Sequence, residues 1–306
     1  MVIDDTFAEA FGMTAARVII TAFDQELASE AAAQAAGHAS SVIGCNCEAG
    51  IESLLEPELT PDGRPGVSLL FFGFSRDKLE KAIVARIGQN VLTCPTTACY
   101  NGLPVGAGKM RVGGQLRYFG DGFQMSKKFD ERRFWRIPVM DGEFVCEDEF
   151  GTMKGIGGGN LLICGADAVT ALAAARAARD AIAALPDVIM PFPSGIVRSG
   201  SKVGARYPQL PASTNDRWCP SLTSQTETDL QPEDRCVYEI VIDGLTEAAV
   251  AGAMTAGIMA VSAVPGVTRI SAGNYGGRLG PHHFHLHRLS GVSVPAGEHS
   301  PLARQK

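Results

Sequence analysis

The chain has 306 residues, 45% of them hydrophobic and 20% charged, with a formal net charge of −6. That length and apolar content suffice for two domains with buried cores and exclude a disordered chain. The negative balance excludes a general nucleic-acid binder, which needs a basic field over phosphates, yet leaves room for local basic patches that hold small anions. At the amino end, "MVIDDTFAEAF" lacks a basic segment followed by an apolar core and does not read as a signal peptide. Its "TFAE" has capping-box spacing, Thr6 to Glu9, and predicts a helix start. A strand at "RVIITA", a helix around 24–36 and strands at "SSVIGCN" and "GVSLLFFGF" follow, then a helix over 77–89 and a strand at "NVLTC". Residues 121–155 hold short strands, among them "FWRIPVM" and "EFVCEDEF", that read as an accessory sheet. The glycines of "GIGGGN" predict a tight turn into the strand "NLLICGA". An Ala-rich helix over 167–184 comes next, N-capped by Asp167 and stopped by Pro186, with Val169, Leu172 and Ala173 on one side. A strand around "VIMPF", the strand "CVYEIVIDG", a helix over 246–264 ended by Pro265 and Gly266, and the strand "VTRISAG" complete the order.

Each half therefore reads β-α-β, then β-α-β, the order of the split βαβ, ferredoxin-like motif. The expected class is α+β: two ferredoxin-like lobes from an internal duplication, with an accessory β region between them. The expected units are 1–148, 149–290 and a flexible or partner-contacting tail, 291–306. The uncharged run 248–264 is at the short limit for a bilayer span and rich in Ala and Gly, so it reads as a buried helix and no membrane is expected. Eight cysteines without a secretion signal read as reduced thiols in a cytoplasm.

Several signatures fail. "GAGKM" lacks the first glycine and the hydroxyl residue of a phosphate-binding P-loop, and no G-x-S-x-G elbow is present. Cys45, Cys47, Cys94 and Cys99 have poor zinc spacing, and "HHFHLH" would splay His283, His285 and His287 along one strand face, so no metal is expected. Other stretches resist a purely structural reading. In "CVYEIVIDG" one face carries Tyr238, Ile240 and Ile242, the other Val237, Glu239 and Val241. A carboxylate between valines is exposed, paired, protonated or used, and a wet edge strand satisfies the same alternation. The loop 191–220 carries Arg198, Ser201, Lys202 and Arg206, then the polar cluster Ser213, Thr214, Asn215 and Asp216. It is too rich in aromatic and proline residues for disorder. "ISAGNYGGRLG" ends a strand in glycines around Asn274.

The ordered set "DTFAEAF", "ARVIITA", "SVIGCNCEAGIE", "TPDGRPGV", "YFGDGFQ", "PFPSGIV", "SKVG", "LPASTND", "CVYEIVI" and "ISAGNYGG" spans about residues 4–289. It resembles the formylmethanofuran:tetrahydromethanopterin formyltransferase family, in its bacterial, methylotroph-type form. The resemblance implies transfer of a formyl group between N5 of tetrahydromethanopterin, or a dephospho variant, and the amine of methanofuran or methylofuran. It implies no tightly bound cofactor, the pterin and furan compounds being substrates. Flow in such bacteria runs toward the furan cofactor, within formaldehyde oxidation to formate. The resemblance also implies a homotetramer, or association with formylmethanofuran hydrolase subunits. The family's proposed acid/base glutamate, in its "CVYE" motif, matches Glu239, whose pKa apolar neighbours would raise. Arg198, Lys202 and Arg206 are then candidates for the substrates' phosphate and carboxylates. Ser213, Asn215 and Asp216 have the donors and acceptors to read a pterin edge. Ser201, Thr214, Tyr238 and Asn274 complete the expected binding set. The competing readings are a non-catalytic pterin-binding or scaffold subunit of a formyltransferase/hydrolase complex, and a metallohydrolase using the C-terminal histidines.

Overall fold

The structure, a computed structural model, describes residues 1–106, 108–200 and 202–291. The first half runs β1 (Val2–Ile3), β2 (Phe7–Thr21), α1 (Gln25–Ala36), β3 (Glu48–Leu55), β4 (Gly66–Gly73), α2 (Arg76–Arg86), β5 (Ala98–Asn101), α3 (Val112–Leu116), β6 (Met125–Phe129), β7 (Arg132–Val139) and β8 (Gly142–Glu147). The second runs β9 (Met153–Gly165), α4 (Ala168–Ala183), β10 (Val188–Ile189), β11 (Lys202–Val203), β12 (Ala212–Ser213), β13 (Cys236–Gly244), α5 (Glu247–Ser262), β14 (Val267–Ser271), β15 (His282–His285) and α6 (Leu286–Ser290). The molecule is an α+β protein built on one large mixed sheet.

Each long helix starts where a strand ends on a small polar residue. Asp24, Ser75, Asp167 and Thr246 accept from the backbone N–H three residues on, at 2.9, 3.5, 2.7 and 3.1 Å. Those bonds satisfy donors that the first helical turn leaves unpaired. The buried side of α4 is Ala171, Ala174, Ala175, Ala178 and Ile182, not the side of Val169, which is exposed. Residue size misleads there: the small side chains let α4 lie close against α5, and that proximity decides which face is covered.

Within the first half the strands lie in the order β5-β2-β4-β3, and within the second β14-β9-β13-β10, every neighbouring pair antiparallel. The two sets are therefore topologically equivalent. They fuse where Phe11–Ala15 of β2 pairs with Met153–Gly157 of β9. Strands β6–β8 extend the sheet beyond β5, with β8 parallel to it, so the expected accessory strands belong to the same sheet. One core lies between the first set and α1 and α2, and a second between β9, β13, β14 and helices α4 and α5.

Four local expectations are overturned. Residues 7–21 form a strand rather than a helix. The capping pattern is met in letters only, because Ala8, Glu9 and Ala10 are all buried in sheet and Glu9 has other partners. "SVIGCN" is a run of turns, and the strand starts at Glu48. "NVLTC" continues α2 through a wider π turn, Ile87–Val91, and the strand starts at Ala98. "GIGGGN" lies within β9, not in a turn. Its glycines are required by close approach: a Cβ on Gly157 would collide with the Met13 sulfur, and one on Gly159 would fall 2.5 Å from a Val250 methyl.

Arg17 of β2 stitches the halves. Its guanidinium grips Glu52 of β3 at 2.6 and 2.7 Å and Asp187, just ahead of β10, at 2.5 Å. Burial pushes the Glu52 carboxyl up, but Arg17, Ser68 and the Asp187 N–H outweigh it and hold the group below its usual range. Arg17→Met leaves that carboxylate buried without its cation. The expected loss is about 3 kcal/mol of unfolding free energy, read from the midpoint of a urea titration at unchanged slope. A shift too small to measure would show that the stitch is neutral.

Candidate active site

The face of the second strand set that the helices leave open is the floor of a cavity of about 1050 Å³. Alternation along β13 sends Ile240 and Ile242 into the helix-side core and Val241 and Glu239 to the cavity. Across the sheet, Glu239 stands opposite Leu162 of β9, which stands opposite Ser271 of β14. Val241 stands opposite Asn160. On its other side Glu239 exchanges two backbone hydrogen bonds with Val197, at 2.7 and 2.9 Å. Its strand is thus paired on both sides at this point and is not a wet edge. The side chain is 4% exposed.

The rim is fixed by polar side chains used as staples. Asn160 accepts from Gly273 N at 2.6 Å and donates to the carbonyls of Gly158 and Gly273 at 3.1 Å. Glu9 reaches from β2 into the loop after β14 and accepts four backbone N–H groups: Tyr275 at 2.6, Gly277 at 3.0, Leu279 at 2.5 and Gly280 at 2.7 Å. Burial raises its pKa, and those four donors outweigh burial, leaving the carboxylate below its ordinary value. Tyr275 accepts from Val203 N at 3.0 Å. Its phenol is pushed up, chiefly by burial, against the Val203 N–H.

Every cation on the cavity wall is matched by carboxylate. Lys202 pairs with Asp216 at 2.5 Å, which draws the Asp216 carboxyl below its usual value. Arg217 pairs with Asp229 and Glu227 at 2.6 and 2.8 Å. Arg269 pairs with Asp234 at 2.5 Å and Asp4 at 3.0 Å, and lies 5.0 Å from the centre of the Trp218 ring. The arrangement is a buried carboxyl at the floor, a neutral phenol near it, and a wall of oriented amides and paired charges. It can bind a large polar ligand and move a proton at a buried carboxyl.

Comparison with known proteins fits this geometry. Residues 1–139 match the family described as formylmethanofuran-tetrahydromethanopterin formyltransferase, and residues 142–289 match its proximal lobe. The chain belongs to that family. The formyltransferase of Methylococcus capsulatus is 56% identical over 290 residues, covering 94% of this chain and 97% of that protein. A component of the formyltransferase/hydrolase complex of Methylorubrum extorquens is 49% identical over 296 residues, covering 94% and 95%. The solved structure of that complex, bound to methylofuran, aligns with a TM-score of 0.90 at 49% identity, over 94% of this chain and 96% of that one. The Methanosarcina barkeri formyltransferase structure aligns at 0.89, over 94% and 98%.

Of the residues expected at a formyltransferase site, Glu239, Lys202, Asn215, Asp216 and Asn274 line one cavity. Asn274 spends its amide on Thr6 and Phe7, both at 3.1 Å. Ser213 donates to Gly204 O at 2.7 Å and Thr214 sits 3.3 Å from the Cys219 sulfur; both serve the β11–β12 turn region and neither lines the cavity. Arg198 and Arg206 are exposed and outside the lining. Tyr238 packs into the helix-side core, on the face opposite Glu239. Ser201 and the tail 292–306 lie outside the described residues. The histidines do not share a face: His282–His285 is strand, but His287 is in α6 and bonds Ile3 O at 2.8 Å. Among the described residues no group of three His, Cys, Asp or Glu is placed to hold a metal ion, and no helix is long and apolar enough to cross a membrane.

Glu9, Glu48, Asn160, Trp218 and Arg269 also line the cavity and were not singled out by sequence. A signal existed for two of them. "FAEAF" and "NCEAG" each put a carboxylate among small apolar residues, the same pattern that drew attention to Glu239.

Proposed function

We propose that this chain transfers a formyl group between N5 of a tetrahydromethanopterin-type pterin and the amine of a methanofuran-type cofactor, with Glu239 as the acid/base. The observation that carries the reading is a buried carboxyl at the floor of a cavity of about 1050 Å³. In the reaction the amine nitrogen attacks the formyl carbon and the carbonyl oxygen becomes an oxyanion. The Glu239 carboxyl gives its proton to that oxygen, then takes one from the attacking nitrogen. As the carbonyl re-forms, the bond to the departing nitrogen breaks and that nitrogen leaves with a proton, so the enzyme returns to its starting state. Lys202 with Asp216, Asn215 and Asn274 are the residues we assign to substrate binding. Arg198 and Arg206, at the outer edge of the same loop, would meet only an anionic tail that extends past the cavity.

The two equivalent strand sets, each in the order fourth-first-third-second with helices on one face, support two ferredoxin-like lobes divided near residue 148. Named relatives in a formyltransferase/hydrolase complex support hydrolase subunits as partners, beside or instead of a homotetramer, and we place the chain in the cytoplasm. The test is direct. Purified chain, given formylated pterin and furan amine, should yield formyl-furan and free pterin without added metal. Absence of transfer in either direction, with both substrates bound, would leave only a scaffold role.

A further inference from the structure

A second pair of acids is buried beside this cavity, and the chemistry above does not use it. Glu48 opens β3 and Asp243 nearly closes β13, on the same strand face as Glu239. Both are buried, Asp243 completely. A Cβ built on Gly157 would lie 3.1 Å from Asp243 Oδ1 and 3.4 Å from Glu48 Oε2, so the two carboxyls converge on one point. Two buried acids that converge without a cation between them are held together only when one carries a proton that the other can accept. Each spends its other bond on a different wall. Glu48 Oε1 accepts from Val42 N at 3.0 Å, and Asp243 Oδ1 accepts from Gly158 N at 3.0 Å. Among the described residues Asp243 Oδ2 has no donor but its partner acid. Val42 belongs to the turn that lines the cavity from the first half, and Gly158 lines it from β9. Gly158 has φ +95, so the N–H is aimed at Asp243 by a backbone that only glycine adopts without strain.

We propose that Glu48 and Asp243 share one proton, and that this bridge sets the spacing between the Val42 and Gly158 walls, making both acids positioning residues for the substrates. What fills the cavity rests on the formyl-transfer reading; the bridge itself does not. Burial raises both acids; the neighbouring Glu48 raises Asp243 further, while Asp243 and the Val42 N–H offset part of the rise at Glu48. Among the described residues no cation acts on either acid: Arg86 of α2, the charged group beside Cys47, gives its N–H groups to the carbonyls of Ala35, Gly37 and His38 and to Asn46 Oδ1. Glu52 on β3 is taken by Arg17, which also holds Asp187 ahead of β10. Cys47 beside Glu48 is a thiol pushed up to about 11, chiefly by burial. Glu239 on β13 is a further acid, Lys154 on β9 is exposed, and β2 presents the uncharged Phe11 and Met13. An acid raised in the folded state binds its proton more tightly folded than unfolded. Its contribution is therefore full at acid pH and declines as pH climbs from the ordinary carboxylate range through the folded value.

The test uses full-length chain, wild type against Glu48→Gln and Asp243→Asn, each of which replaces the shared proton by an amide N–H that cannot be lost. Thermal midpoints and pterin KM are followed from pH 5 to 9. Wild type should lose thermal stability with rising pH and show KM rising about tenfold at the alkaline end, with kcat far less affected. Glu48→Gln should be flat in both. Identical pH slopes in thermal midpoint for wild type and both amide variants would overturn the shared proton. A wild-type slope with no change in KM would overturn the positioning role. Failure of both amide variants to fold counts against the proposal, since the amide supplies the donor the bridge requires. If no formyl transfer is seen in any variant, the thermal comparison still decides the bridge, and the reading that has failed is the function.

Discussion

Glu239→Gln is expected to lower turnover by about 10²–10⁴ while leaving pterin KM within about threefold. The substitution keeps shape and hydrogen-bonding capacity and removes only the ability to give and take a proton. The backbone of residue 239 is held on one side by β9 and on the other by Val197, so the strand gives the new amide no freedom to move. A purely structural role predicts a different split: loss would fall on stability or on KM. Steady-state kinetics with both substrates saturating, beside a thermal melt, separate the outcomes. Turnover unchanged in a folded variant would remove Glu239 from the chemistry.

A large effect on stability is expected at Glu9. Glu9→Ala deprives four backbone N–H groups, that of Gly280 buried and the others partly so, of one acceptor, and we expect a cost of about 3 kcal/mol in unfolding free energy. Glu9→Gln should fare little better. Its single oxygen can serve only half of those donors, and its own N–H₂ is turned toward the rest. Tyr275 and Leu279 belong to the cavity lining, so a variant that stays folded should also bind pterin more weakly. The sign of the pH effect is fixed by the depressed pKa. The stabilisation is present above the ordinary glutamate range and is lost as pH falls through the lower, folded-state value. Acid titrations of stability should therefore run steeper for wild type than for Glu9→Ala. Parallel curves would mean that the four donors are satisfied some other way.

The repeated order of strands and helices was legible in sequence because most second-half elements carry their own punctuation. Asp167 and Thr246 begin helices and Pro186 and Pro265 follow their ends, as residue chemistry predicts. The misreadings differ in cause. "TFAEAF" pairs with strands distant in the chain, so local pattern is a poor guide to its state, whereas "SVIGCN" and "NVLTC" are closed by short-range hydrogen bonds that their apolar, β-branched residues do not announce. In "TFAEAF" both faces of the strand are covered, which erases the alternation that would have announced it. In "GIGGGN" the glycines answer to Met13 and Val250, side chains from far along the chain in either direction. The site divides the same way. Glu239, Lys202, Asn215, Asp216 and Asn274 stand in segments whose composition is odd for their surroundings. Arg198, Arg206 and Tyr238 stand in the same segments, but strand alternation turns Tyr238 to the helix side and the loop leaves the two arginines outside the lining. Glu48 and Asp243 become meaningful only as a pair, and nothing in the order of residues brings 48 to 243.

The first ten residues belong structurally to the far end of the chain. Val2–Ile3 lies along Arg269–Ile270, and Phe7–Ala10 lies along His282–His285. A ribosome releases the amino end first, yet its neighbours emerge roughly 15–60 s later at ordinary elongation rates. During that delay this segment lacks those partners, and the cavity wall anchored by Glu9 cannot close. Maturation of the enzyme is thus a late event, completed when residues 267–285 capture residues 2–10.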